Sequence, residues 1–519
     1  LFLIQQEGIV MKYLLGTDIG TSGVKTILMN LKGELISCDS QEYNVLTPKP
    51  LWAEQWAEVW LEATKKTIAH TVKKSGIKQK DIKAICISGL YGGSGVPLDK
   101  NMKSVRPCLI WMDRRAGKES EWALKTIGEK KLKTITHNGS DPYYGFTKML
   151  WIKNNEPENW KKIKLFLPPK DYVIYHLTGK VATDYSSAGN IGGIFDMNTR
   201  SWSNELLDEM GIPREMMPET ILESTDIVGG LTSEIANELG LEEGIPVCSG
   251  GVDCGAANIG LGILEEGVYA ATLGSSMCAA LISDTKVRGE NLIIWPYLYK
   301  ARELSYNFGG AATAGAIVKW FRDTFGQEEL AIQNSGGIDA YNQLNQQAEM
   351  IPVGSEGLIV LPYFMGERAP LWDSDAKGVI FGLSLAHTKG HVYRAFLEAV
   401  AYSLRHAMES TGKDLGEYIY LAGGLMKSKL CRQIFADVTG YPIVCPKYDV
   451  EANMGDVILA GIGTGLLTYE DVKEWQMFDE KIYPNSVNQP IYDSYYKLYR
   501  SIYKSLKSNM KELSALRDK

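Results

Sequence analysis

The sequence predicts an α/β protein of two related halves, each built on a mixed β-sheet. Three observations carry this. Gly16-Thr17-Asp18-Ile19-Gly20-Thr21-Ser22-Gly23-Val24-Lys25 is a tight Gly/Ser/Thr turn between two apolar, strand-like stretches. Thr272-Leu273-Gly274-Ser275-Ser276 is a second turn of the same kind, far downstream. Strand and helix patterns alternate after each turn, as in α/β folds. A chain of 519 residues also exceeds what one hydrophobic core organises.

Tyr13-Leu14-Leu15 enters the first turn, Val24 to Met29 leaves it, and Lys32-Gly33 turns the chain into a strand from Leu35 to Tyr43. Trp60, Thr64, Ile68 and Val72 recur at i, i+4 and predict a helix. Ile82 to Ser88 is a compact apolar run that predicts a buried strand ending at Gly89. In the second half, Gly267 to Thr272 and Met277 to Ser283 read as strands on either side of the second turn. Val392, Ala395, Phe396, Ala399, Val400 and Leu404 stripe a helix from His391 to Leu404. Tyr418 to Ala422 reads as a strand entering Gly423-Gly424, with a helix from Ser428 to Thr439 and a terminal helix from Tyr492 to Arg517. The expected division is 11–256, 257–485 and a helical tail 486–519, with the boundary near Gly255 to Gly262.

Composition excludes several classes. A net charge of -7 without a basic tract argues against nucleic acid as the main partner. None of the eight cysteines forms C-x-x-C, so they read as small buried groups in a reducing compartment, not as a disulfide or zinc framework. Leu1 to Val10 lacks a basic n-region and is too short to span a bilayer, and no later stretch is long and uncharged enough. A soluble cytoplasmic protein without a membrane partner is expected. No G-x-G-x-x-G follows the first strand to open a helix, which removes a dinucleotide fold.

The chemistry-bearing residues cluster in the turns. Asp18 ends the first strand and suits Mg²⁺, while Thr21 and Ser22 offer amides and hydroxyls to phosphate and Lys25 offsets its charge. An ordinary hairpin accounts for the same pattern. Asp253, in the small-residue bed of Ser249-Gly250-Gly251 and Ala256-Ala257, suits a general base and equally a helix N-cap. Gly309-Gly310-Ala311-Ala312 and Gly423-Gly424-Leu425-Met426-Lys427-Ser428 are turns able to admit adenine or ribose. Met365 to Asp373 combines charges and aromatics, with a loop pinned by Glu367 and Arg368 as the plain reading. Trp52, Tyr91, Trp111, Asp113, Arg114, Tyr143 and Tyr144 supply flat faces and charges of the kind a sugar needs, and Trp111, Asp113 and Tyr143 lead.

In combination these segments resemble the FGGY family of carbohydrate kinases from Met11 to about Glu470. The Asp18 turn is similar to the family's first phosphate motif and the Ser275 turn to its second. Asp253 falls on the catalytic aspartate, and Gly423-Gly424 with Ser428 on the adenosine motif. Tyr143 to Asn155 keeps the Lys148 and Trp151 spacing of one diagnostic pattern, with Gly145 where Pro, Ser or Thr is usual. Gly378 to Glu398 matches the other, with Phe396 for a smaller residue.

The resemblance implies two actin-like, ribonuclease-H-like domains, ATP and Mg²⁺, and a sugar hydroxyl deprotonated by Asp253. It places Tyr91, Trp111, Asp113 and Tyr143 at the sugar, with Thr21, Ser22, Lys25, Gly274, Ser275, Gly310, Gly423, Gly424 and Ser428 at the nucleotide. Asp18 would hold the metal. A homodimer is the oligomer it suggests. Trp52-Ala53-Glu54-Gln55 and Glu367-Arg368-Ala369-Pro370 look most like xylulose kinases, which makes D-xylulose the expected acceptor. Leu90-Tyr91-Gly92-Gly93 stands where those enzymes carry Gln-Met-His-Gly, which leaves gluconate, other sugars and polyols open. A non-catalytic, nucleotide-regulated binding protein of the actin or Hsp70 type is the alternative outside enzymes.

Overall fold

Tyr13–Ile19 forms strand β1, and every residue of it but the half-buried Asp18 is buried, so the strand is covered on both faces. The computed structural model describes residues 11–284, 289, 291–412, 415–447, 451–475 and 477–517. β1 runs antiparallel to β2 (Gly23–Asn30), with Asp18 opposite Lys25, and β2 runs antiparallel to β3 (Leu35–Glu42). On its other side β1 pairs in parallel with β4 (Ile82–Gly89), with Asp18 beside Ser88. β5 (Ile227–Gly230) and β6 (Pro246–Cys248) complete the sheet in the order β5-β6-β4-β1-β2-β3. The crossover from β3 to β4 contains the helix Ala57–Ser75, which buries the expected stripe of Trp60, Thr64, Ile68 and Val72. Asp18 and Ser88 therefore sit together at the carboxyl ends of two parallel strands, where α/β sheets bind ligands.

A second sheet repeats the plan. β7 (Tyr269–Leu273) runs antiparallel to β8 (Met277–Asp284) and parallel to β10 (Ile419–Ala422). β9 (Leu304–Gly309) lies beyond β8, and β11 (Ile443–Val444) lies beyond β10 in parallel, which gives the run β9-β8-β7-β10-β11 within a six-stranded sheet whose outer strand beside β9 is Ile293–Pro296. The run β2-β1-β4-β6 in the first sheet has the same directions as β8-β7-β10-β11. Each sheet is mixed, and in each a tight Gly/Ser turn joins an antiparallel pair of strands, β1 to β2 and β7 to β8, as the pattern predicts.

The chain's two compact units are discontinuous in sequence. The first comprises the described residues of Leu1–Leu264, Ile294–Ser305 and Val450–Gln476, and the second those of Glu265–Ile293, Tyr306–Asp449 and Met477–Lys519. A single cut near residue 256 misses this, because helix Ala452–Gly463 belongs with β1. Its seat is a backbone-to-backbone approach. A Cβ on Gly16 would lie 2.1 Å from the Asn453 carbonyl oxygen, and one on Gly455 would lie 1.9 Å from that of Ala256. The tail is not a separate element either. Helix Gln489–Arg517 places Tyr492, Tyr496, Tyr499 and Tyr503 in the second core, where the Tyr363 hydroxyl donates to that of Tyr499 at 2.7 Å and Tyr492 donates to Glu398 at 2.9 Å.

Because the atoms facing Gly455 are backbone, Gly455→Ala has no side chain to displace. It should lower stability by about 2 kcal/mol, as overpacking does, and thermal denaturation reads this as a melting point about 2–3 °C lower. An unchanged melting point would show that the helix slides without cost.

Candidate active site

Two carboxylates define the site in the first unit. Asp18 Oδ1 accepts a hydrogen bond from Ser88 Oγ at 3.1 Å, and the same hydroxyl lies 2.8 Å from Oδ2 of the fully buried Asp456. One hydroxyl hydrogen cannot serve both acids, so the chain of contacts needs a proton on one of them. Burial, then the charge of Asp18, pushes the pKa of Asp456 well up, which makes Asp456 the acid that keeps it. Burial raises Asp18 to about 6; the Ser88 hydrogen bond opposes this, Glu451 adds to it and Lys25 subtracts.

Asp253 is the first residue of helix Asp253–Gly260, with Val252 at the N-cap position. Its Oδ1 accepts from the Cys254 amide at 2.6 Å. Burial, then the nearby Asp18 charge, moves its pKa well above the carboxylate range, which marks a proton acceptor for neutral pH.

A buried polar network fixes the chain on which Asp253 stands. The Val252 amide donates to Ser186 Oγ at 3.0 Å, and Ser186 donates to Asp184. Asp184 pairs with Lys170 at 2.9 Å, and Lys170 also reaches Asp171 at 2.5 Å and the Ser249 carbonyl at 2.8 Å. Gly251 is required here, since a Cβ would come within 2.8 Å of Ser186 Oγ.

Aromatic residues wall the neighbouring space. Tyr91 lies between Tyr143, edge-on at 6.0 Å, and Trp295 at 5.6 Å. Trp111 Nε1 donates to Thr21 Oγ1 at 3.0 Å, which ties the wall to the first turn. Gly92 has φ +71°, and a Cβ there would sit 3.0 Å from both Trp111 and Tyr143. The turn that departs from the resemblance thus closes on aromatic rings with no room for a side chain.

Two expected contacts are corrected. Asp113 is wholly buried and its oxygens are taken within the fold, by the Ala53 amide at 2.6 Å and by Arg115, so it supports the wall and does not face a sugar. Arg115 in turn lies flat over Trp52 at 3.6 Å, and Trp52 meets Trp151 edge-on. Lys25 is engaged by Glu451 and is not a free counter-charge for phosphate.

The second unit holds a cavity of about 490 Å³ lined by Gly274, Ser275, Gly424 and Ser428, together with Asp339 and Tyr341. The carbonyls of Gly274 and Ser275 accept from the amides of Gly315 and Ala314, each at 2.8 Å, which braces the turn on helix Gly315–Phe325. Ser428 caps helix Lys429–Thr439 by accepting from the Cys431 amide at 3.3 Å. Gly423, at φ +102°, passes the Leu273 carbonyl too closely for any Cβ. Gly310 is not part of this lining; its amide donates to the Ala369 carbonyl, and a Cβ there would lie 2.2 Å from the Met277 carbonyl oxygen. Glu367 and Arg368 pin the neighbouring turn through its backbone: Glu367 accepts from the Ala312 amide at 2.7 Å, and Arg368 donates to the Ala311 carbonyl at 3.0 Å.

Among the described residues no group of three or more His, Cys, Asp or Glu is placed to hold a metal ion. Mg²⁺ asks less, since it keeps most of its water and uses one or two carboxylates plus phosphate oxygens. Asp18, with a carboxylate whose charge is disfavoured by burial and by Glu451, fits that role.

Ser88, Asp456 and Trp295 were not singled out in the sequence. An isolated Asp in the apolar stretch Gly455-Asp456-Val457-Ile458-Leu459 is the one signal that pointed to any of them.

The model of the N-terminal domain of the FGGY family of carbohydrate kinases matches residues 13–260, and that of its C-terminal domain matches residues 269–464. The chain is similar to the xylulose kinase of Bacillus subtilis (strain 168), with 32% identity covering 98% of this chain and 100% of that one. It is also similar to the gluconokinase of the same organism, with 30% identity covering 87% and 88%. The ligand-bound xylulose kinase from Lactobacillus acidophilus superposes with a TM-score of 0.89 at 25% identity, covering 97% of this chain and 100% of that one. The gluconate kinase from that organism superposes with a TM-score of 0.88 at 25% identity and the same coverage.

The buried Arg115–Asp113 pair yields a direct test. Arg115→Met removes the partner of a fully buried carboxylate and should cost about 3–5 kcal/mol, measured by denaturant unfolding. Asp113→Asn, which leaves no bare charge, should cost less.

Proposed function

This chain belongs to the FGGY family of carbohydrate kinases, and we propose that it transfers the γ-phosphate of ATP to a terminal hydroxyl of a ketose, D-xylulose first among them. The observation that carries the reading is the pair Asp253 and Asp18, two carboxylates in one electrostatic field, with the proton affinity of Asp253 raised by its neighbour. Asp253 takes the proton of the attacking hydroxyl. Asp18 would hold Mg²⁺, which would neutralise charge on the phosphate oxygens. The Gly274-Ser275 turn and the Gly424 to Ser428 turn, on the second unit's cavity, bind the nucleotide. Positioning and charge stabilisation supply most of the acceleration in such transfers.

Charge supports a neutral acceptor. The cations on the segments around the aromatic wall are committed: Arg114 to Asp141, Arg115 to Asp113 and Glu54, Lys148 to carbonyl oxygens, and Lys170 to Asp171 and Asp184. With Asp18 and Asp253 both acidic, an aldonate would bring a further negative charge to carboxylates. The names of the relatives weigh both ways, since xylulose kinases and gluconokinases match at almost equal identity. Coupled ADP release measured with D-xylulose, other ketoses, alditols and gluconate separates them. Turnover of D-xylulose well above gluconate is the expected result, gluconate alone would reverse the assignment, and no turnover of any acceptor would leave a nucleotide-binding protein without transfer.

Asp253→Asn should reduce transfer by about 10²- to 10⁴-fold, the range of general-base contributions, while ADP binding is retained. The base works only when ionised, so a raised pKa moves loss of activity toward neutral pH. The acid limb of kcat/KM should be displaced toward neutral pH from the ordinary carboxylate position near 4; a limb near 4 would show that the base is not perturbed in the working enzyme.

A further inference from the structure

Lys148 stands in the first turn of helix Gly145–Asn155 and is completely buried. Its ammonium donates to three carbonyl oxygens: Gly92 at 2.9 Å, Pro142 at 2.7 Å and Tyr143 at 2.5 Å. Gly92 lies in the turn after β4, next to Tyr91; Pro142 and Tyr143 lie in the loop before the helix. The two loops are already close, since a Cβ on Gly145 would come 2.1 Å from the Gly93 carbonyl oxygen. Burying a lysine is expensive, and a methionine would fill a similar volume. What the charge adds is three hydrogens, which join the two loops through their backbone carbonyls.

We propose that Lys148 is a positioning residue for acceptor recognition: by joining the Gly92 and Pro142-Tyr143 carbonyls it holds Tyr91 edge-on against the buried Tyr143 ring, and so fixes the face that Tyr91 presents to the sugar. The acceptor's part in this rests on the kinase reading; the strap itself does not. The groups that face Lys148 are Arg114, Asp113, Asp141 and Cys108, and burial followed by the Arg114 charge lowers its pKa to about 7. Above that pH a neutral amine has two hydrogens for three carbonyls, so one of the three bonds is lost and the strap loosens.

Three measurements test this on the intact chain. Backbone hydrogen exchange, which needs no acceptor, should speed up over residues 89–95 and 142–147 in Lys148→Met, with β7 and β10 unchanged. Faster exchange in only one loop, or uniformly across the chain, overturns the strap. Steady-state kinetics should show the acceptor KM raised on the order of tenfold with the ATP KM unchanged; a loss of kcat alone or of both KM values together overturns the positioning role. In the parent protein the acceptor KM should rise from pH 6 to 8.5, and in Lys148→Arg, which stays charged, it should stay flat. A profile that is the same in both variants rejects the ammonium as the cause. If Lys148→Met does not fold, exchange in the parent over the same pH range, corrected for intrinsic rates, reads the same loosening. If no acceptor is turned over, the kinase reading fails while exchange still decides the strap.

Discussion

The first unit depends on backbone lying against backbone at Gly16 and Gly455. Helix Ala452–Gly463 comes within carbonyl contact of β1 and of helix Asp253–Gly260 only because both positions lack a Cβ. That seat brings Asp456 under Ser88 and Glu451 beside Lys25. It also places a third element against the strand that ends in Asp18 and the helix that begins with Asp253. A hydrophobic contact would tolerate a small shift; a carbonyl facing a glycine does not, and the carboxylate geometry inherits that rigidity.

Charge is then distributed unevenly around the site. Positive groups are spent on architecture: Arg115 locks Asp113 and stacks on Trp52, Lys170 bridges two aspartates, and Lys148 gathers carbonyls. The acids at the strand ends are left undercompensated. Such a site favours binding of a cation or a proton, and it raises the basicity of the group that has to accept one. The aromatic wall beside it gives apolar faces without adding charge. The same residues that stabilise the first unit thereby set the electrostatics in which a hydroxyl would be activated.

Much of this was legible in the sequence because it is local. The tight turns, the buried runs of β1 and β4 and the helix stripe at Trp60, Thr64, Ile68 and Val72 are written in spacing alone. Asp253 stood out by its bed of small residues. What escaped was set by tertiary packing. Asp113 looked like a free carboxylate among aromatics because nothing near it in sequence reveals that Ala53 and Arg115 consume its oxygens. Lys25 looked free because Glu451 is remote in the chain. The discontinuity of the first unit has the same origin: helix Ala452–Gly463 packs against β1, and nothing near it in sequence says so. The tail is the counterpart, since its tyrosines face one way along the helix yet only the fold shows that they complete the second core.

The interrupted first unit also has a temporal side. Its last segment emerges from the ribosome only after most of the second unit has been made. Roughly 190 residues separate Leu264 from Ala452, so at ordinary synthesis rates the nascent first unit waits about 10–40 s without its closing helix. During that interval the backbone at Gly16 and Ala256 is uncovered, and the surrounding apolar surface is open to other chains and to chaperones. Sequence changes in the second unit that slow its synthesis prolong that exposure without touching a single catalytic group. Yield of active protein is therefore tied to the tempo of translation through a segment remote from the chemistry.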